Sequence, residues 1–223
     1  MLRVSSWVLW AILGVSMATG QAFAQGGRES SAYEVVRQAT AQVLEVVQQA
    51  GAYIEQDPDR YFDALRAILD PVIDYRGFAR GVMGDYATSE RYRSLDSAGR
   101  EQLRAQLDRF TVNIRLTLIR TYGKGLLAFG GSRIEVGVPP EGEEEARVVS
   151  VEQQIFNDGA TPYLVNYQMG RNREGQWKLR NVIIESVNLG QIYRSQFQSA
   201  ARKYDGDIDA VVDSWSVPQT QQE

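Results

Sequence analysis

The 223-residue chain contains neither cysteine nor histidine. Without cysteine there is no disulfide framework, so an ordinary apolar core must hold the fold. Without both residues the commonest zinc and copper ligands are missing. Ser-His-Asp and Cys-His catalysis are excluded as well. Basic runs are also absent, and the formal charge is −4. An acidic chain of this kind is a poor partner for nucleic acid or for an anionic lipid surface. Beyond the first 24 residues no apolar run reaches spanning length.

Those first residues have a clear order. Arg3 supplies a positive charge, an apolar run follows from Val4 to Gly20, and Ala22-Phe23-Ala24 precedes Gln25. This is the pattern of a cleaved secretory leader. The expected organisation is a signal peptide over 1–24, one α+β domain over 25–216 and a loose tail over 217–223. Removing the leader leaves roughly 200 residues, enough for one domain with a sizeable interior. The expected compartment is outside the cytoplasm.

Helical patterns come first along the chain. Tyr33, Val36, Val43, Val47 and Ala50 recur at helical spacing, with Leu44 and Val46 widening the stripe. Asp57-Pro58 is a cap followed by a first-turn proline, opening a second helix with Tyr61, Phe62, Leu65, Ile68 and Leu69. A third helix runs from about Tyr75 to Tyr86. A long one starts near Ser97 and becomes apolar around most of its circumference after Thr117. Gly123 and Gly125 within it suggest close backbone packing, a kink or an end.

From Ser132 the period changes to two. Ile134, Val136 and Val138 mark a first strand; Val149, Val151 and Ile155 share one face of a second. Tyr163, Val165, Tyr167 and Met169 share a face of a third, after an Asn157-Asp158-Gly159 hairpin signal. Trp177 to Val187 reads as a fourth. There the apolar phase slips between Leu179 and Val182, which predicts a bulge or bend near Asn181. Helices over Leu189 to Tyr204 and Ile208 to Trp215 close the chain. The expected fold is α+β: a helical N-terminal half on a four-stranded, strongly bent antiparallel sheet, closed by C-terminal helices. The simplest arrangement lays the sheet over the long helix.

Polar motifs yield little chemistry. Asp205, Asp207 and Asp209 open like a calcium loop, but Ala210 and Ser216 occupy its sixth and twelfth positions, so a turn and helix cap fit better. Glu141 and Glu143 to Glu145 read as a solvated acidic turn. Gly123, Gly125 and Gly130 lack phosphate-loop spacing. Asp70, Asp74 and Glu185 are candidate acids or bases, with capping as the simpler role. Tyr163, Tyr167 and Trp177 suit either a filled core or a sheet bent around an apolar cavity.

Four segments in order resemble the MlaC, or toluene-tolerance, family of periplasmic phospholipid carriers. They are Asp74-Tyr75-Arg76-Gly77-Phe78 through Val82-Met83-Gly84-Asp85-Tyr86; Phe110 through Tyr122-Gly123-Lys124-Gly125-Leu126; Gly175-Gln176-Trp177 through Glu185-Ser186-Val187-Asn188-Leu189; and Tyr193-Arg194-Ser195-Gln196-Phe197. Asp205-Gly206-Asp207-Ile208 follows where the family has Gly-x-Asp-Gly-Leu. Ser186, Asn188 and Ala87 depart from the pattern, replacing Gly, Ser and an aromatic.

The resemblance implies a non-enzymatic lipid shuttle without cofactor, its cargo a phospholipid; a soluble shuttle has least trouble as a monomer, which is the expected state. Implied partners are an inner-membrane ABC transporter complex with an MCE-domain ring and an outer-membrane lipoprotein complex. A branch of the family accompanies hopanoid genes, so a triterpenoid is the alternative cargo. An exported enzyme using Asp74 or Glu185 on an apolar substrate is another alternative. Exposing two lipid tails costs on the order of 20 kcal/mol, at about 0.8 kcal/mol per CH₂. Apolar walls alone can remove that cost, in a pocket expected to be larger than most small-ligand sites. The expected wall is Val82, Met83, Tyr122, Leu126 and Phe129 from helices, with Val149, Val151, Tyr163, Val165 and Tyr167 from the sheet. Val187, Leu189 and Ile192 are expected at the mouth, with Lys124 and Arg194 as candidate rim cations. Strand phase gives the sheet residues and the resemblance the helix and mouth positions; plain core is the alternative for either set.

Overall fold

A computed structural model describes residues 30–142, 145–156 and 161–215. The expected leader, the Asn157-Asp158-Gly159 turn, Glu143 and Glu144 of the acidic turn, and the tail lie outside the described residues.

The helical half begins with α1 (Ala32–Ala50), α2 (Pro58–Leu69) and α3 (Tyr75–Met83), followed by a 3-10 turn over Gly84–Ala87. Each helix starts on a side-chain cap: the oxygens of Ser31, Asp57 and Asp74 accept from the amides of Glu34, Arg60 and Gly77. The short α4 (Ser89–Ser94) leads into α5 (Ser97–Leu126), capped by Asp96. A 3-10 turn over Leu127–Phe129 then feeds the strands.

The sheet runs β1 (Arg133–Val136), β2 (Val148–Phe156), β3 (Tyr163–Arg171), β4 (Trp177–Ile184) and β5 (Val187–Asn188), antiparallel throughout and in chain order. Among the described residues it has five strands rather than four. The expected fourth strand is cut at Glu185, whose φ of 55° reverses the chain. That left-handed backbone is uncommon for a residue with a side chain. Here the Glu185 carboxylate accepts the Leu164 amide at 2.7 Å, and the Glu185 amide donates to the Leu164 carbonyl. The slip in apolar phase is a register shift: Gln168 pairs with Asn181, but Met169 pairs with Leu179, leaving Arg180 as the extra residue. The chain closes with α6 (Leu189–Lys203) and α7 (Ile208–Ser214). Asp207 caps α7 through the Ala210 amide, while Asp209 bridges to Gln106 and Arg109 of α5.

Three apolar clusters form. The largest joins α3, α5, α6 and α7 around Val82, Met83, Phe110, Ile114, Phe197 and Val211. A second places Ala32, Tyr33 and Val36 of α1 on Val151, Met169 and Trp177 of the sheet. The third packs the end of α1 on Tyr61 and Leu65 of α2. The direct cover of the sheet is therefore α1, not the long helix. The C-terminal half of α5 faces the sheet across a gap.

Candidate functional site

That gap is an apolar cavity of about 320 Å³. α1 contributes Val36, Ala39, Thr40, Val43, Leu44 and Val47, one face of its amphipathic stripe. α5 contributes Leu118, Ile119, Tyr122 and Leu126, extended by Phe129. The sheet supplies Ile155, Val165, Tyr167, Val182 and Ile184, in the alternation that a pleated face requires. Leu65, Tyr75, Phe78 and Leu189 close the remaining sides. Gly125, Tyr163 and Arg180 are the solvent-exposed members of the lining. Phe129 meets Tyr163 edge-on, ring centroids 6.5 Å apart.

Polar lining groups are few and mostly satisfied internally. Tyr167 donates to Gln153 Oε1 at 2.7 Å, and Gln153 Nε2 donates to Thr40 Oγ1 at 2.7 Å, tying sheet to α1. Burial pushes the Tyr167 hydroxyl above the ordinary phenol range, so it remains a donor. Asn181 is held by Gln168, Asn188 and the Gly190 amide. The Tyr75 hydroxyl has no hydrogen-bond partner among the described residues. Its pKa is raised first by burial and then by nearby Asp70, against an opposing effect of Arg115. Among the described residues no carboxylate lines the cavity. Asp70 forms a two-point ion pair with Arg115, Asp74 caps α3 and Glu185 holds the β4–β5 turn. The three candidate acids or bases are thus spent on architecture.

The cavity brings together Tyr122, Leu126, Phe129, Tyr163, Val165, Tyr167 and Leu189 from the expected set. Six expected wall or mouth residues lie elsewhere. Val82 and Met83 point into the helical cluster, because α3 buries its apolar stripe against α5 and α6. Val151 is fully buried under the first turn of α1, with Val149 at its margin. Val187 and Ile192 face solvent, 47% and 40% exposed. Lys124 and Arg194 do not border the cavity; Arg194 lies over Gly84 and pairs with Asp85 at 3.2 Å. The chamber is also smaller than expected, because Val151, Met169 and Trp177 fill the sheet end beneath α1. The α1 contribution was missed: its stripe is visible in the sequence, but its partner is not.

The sheet and helices of this α+β protein enclose a chamber whose described lining is almost wholly apolar, a surface suited to greasy material. The chain belongs to the MlaC protein family, whose pattern matches residues 37–217. It is 28% identical over 184 residues to the toluene tolerance protein ttg2D of Pseudomonas putida, covering 82% of this chain and 79% of that protein. Its fold is similar to that of a phospholipid-binding protein from Ralstonia solanacearum, solved in complex with a phospholipid. The TM-score is 0.67 at 19% identity, over 83% of this chain and 94% of the other. No helix among the described residues is long and apolar enough to cross a membrane.

Proposed function

We propose that this protein is a periplasmic phospholipid carrier, which shields acyl chains in the cavity and moves them between outer- and inner-membrane complexes. The observation that carries this reading is the cavity between α1, α5 and the sheet, apolar and with no carboxylate among its described lining residues, in a chain of the MlaC family. The phospholipid complex of the Ralstonia protein, which shares the fold, supports the choice of cargo. Each buried CH₂ of a tail gains about 0.8 kcal/mol, so walls of this kind hold a chain without a polar clamp and release it to a comparable environment. Neither a nucleophile nor a resident cofactor is needed for that task. The partners in this reading are an MCE-domain ABC transporter complex and an outer-membrane lipoprotein complex.

The test is lipid mass spectrometry on mature protein purified from its host. Two-chain phospholipid in stoichiometric amount is the expected result. A triterpenoid extract, or an empty extract with turnover of an apolar substrate, would overturn the reading. Val165→Glu and Leu126→Glu each place a carboxylate in the wall and are expected to abolish lipid occupancy in protein that still folds by circular dichroism. Unchanged lipid content in both would remove the cavity from the mechanism.

A further inference from the structure

α3 separates two different spaces. Tyr75 and Phe78 line the apolar cavity, whereas Arg76, Gly77 and Arg80 border a second groove of about 680 Å³. α4, the start of α5 and the β3–β4 turn complete that groove. Its charged lining is one-sided: Arg76, Arg80, Arg93, Arg104 and Arg173 face Asp74 alone. Asp74 is occupied by its cap to the Gly77 amide and stands 3.9 Å from Arg180. Arg76 is answered by Asp108. The other four arginines have no carboxylate partner among the described residues. Two are held in place: Arg93 Nε donates to the Ser89 carbonyl, and Arg104 donates to the Tyr92 hydroxyl and lies over its ring.

This positive groove sits in a chain of net charge −4. Four guanidinium groups without a carboxylate partner among the described residues share one hollow, a local excess of positive charge that favours an entering anion. The cations are all arginine, in a chain whose lysines are Lys124, Lys178 and Lys203. Guanidinium forks suit carboxylate or phosphate groups taken two-point. The hollow shape admits protruding side chains rather than a flat surface. The acidic remainder of the molecule also opposes approach to an anionic bilayer. A single phosphate would leave most of the four cations, spread over α3, α4, α5 and the β3–β4 turn, unanswered.

We propose that this groove docks an acidic segment of a partner protein through its Asp and Glu side chains. α3 would then touch the partner on one face and the cargo chamber on the other. The proposal extends the carrier reading with a docking face, and the groove's chemistry does not depend on which cargo the cavity holds.

The test uses a short fluorescein-labelled peptide of alternating Glu and Ser, followed by anisotropy with the mature protein at low and physiological salt. Binding that weakens with salt is expected. Arg80→Gln with Arg173→Gln is expected to weaken it about tenfold. Neither residue makes a described contact that folding requires, and Arg93→Gln with Arg104→Gln is expected to act alike. Arg202→Gln with Lys203→Gln, an equal charge change on α6, is expected to leave affinity within about twofold. Extracted lipid should be unchanged in the groove variants, so loss of docking and loss of cargo read out separately. The proposal falls if the peptide does not bind, or if the α6 control loses as much. It also falls if millimolar inorganic phosphate, or vesicles of phosphatidylglycerol and phosphatidylcholine, displace the peptide through the same arginines.

Discussion

Replacing Gly125 with alanine should stabilise the protein, and the same replacement at Gly123 should destabilise it. Both glycines lie in the last turn of α5, where alanine is favoured by about 0.5–1 kcal/mol through helix propensity and a less free unfolded chain. A methyl group at position 125 would meet nothing within 4 Å, so that gain is realised. At position 123 it would stand 2.9 Å from Leu65 Cδ1 and 3.2 Å from the Phe62 ring. Leu65 is fully buried, and the Gly123 carbonyl also accepts the Tyr61 hydroxyl at 2.8 Å, which locks α2 against α5. Overpacking at such a contact costs about 1–3 kcal/mol. Subtracting the helix gain leaves a net loss of up to about 2.5 kcal/mol. In a domain of this size each kcal/mol moves Tm by about 2–4 °C. Urea unfolding with unchanged m-value, supported by thermal scans, would measure both. Equal stabilisation by the two substitutions would refute the close approach of α2 to α5, and with it the placement of this side of the cavity.

Two further outcomes follow from buried and bridging polar groups. Tyr167→Phe removes the donor to Gln153, which is 2% exposed, and should cost about 1–2 kcal/mol in chemical denaturation. No measurable loss on Tyr167→Phe would contradict the bond. The Asp209 carboxyl is held below its ordinary 3.8 chiefly by Gln106, then by Gln102 and Arg109, against an opposing effect of burial. Because the folded state favours the ionised form, this contribution is present above the ordinary carboxylate pKa and is lost as pH falls through the depressed value. Asp209→Asn should therefore lower Tm at neutral pH, with the gap to the parent closing on acidification; a gap constant with pH would refute the bridge.

Local signals proved reliable where the chain itself sets the structure. Asp57-Pro58 opens α2, and Asp207 caps α7. The phase slip between Leu179 and Val182 is the register shift around Arg180. The end of β4 was not legible, because Glu185 adopts a left-handed backbone without the glycine that normally signals it. The arginine groove was not legible either, since its residues come from four separated segments.

Periodicity in the sequence determined which side chains leave water: the α1 stripe, the inward face of β3 and the apolar end of α5. It could not determine what each would meet. Val82 and Val165 carry the same greasy chemistry, yet one fills the helical cluster and the other faces the cavity. Hydrophobic burial is non-directional and rewards any removal of apolar surface from water. Only the tertiary packing, with α1 rather than α5 laid on the sheet, decided where a space would be left between them.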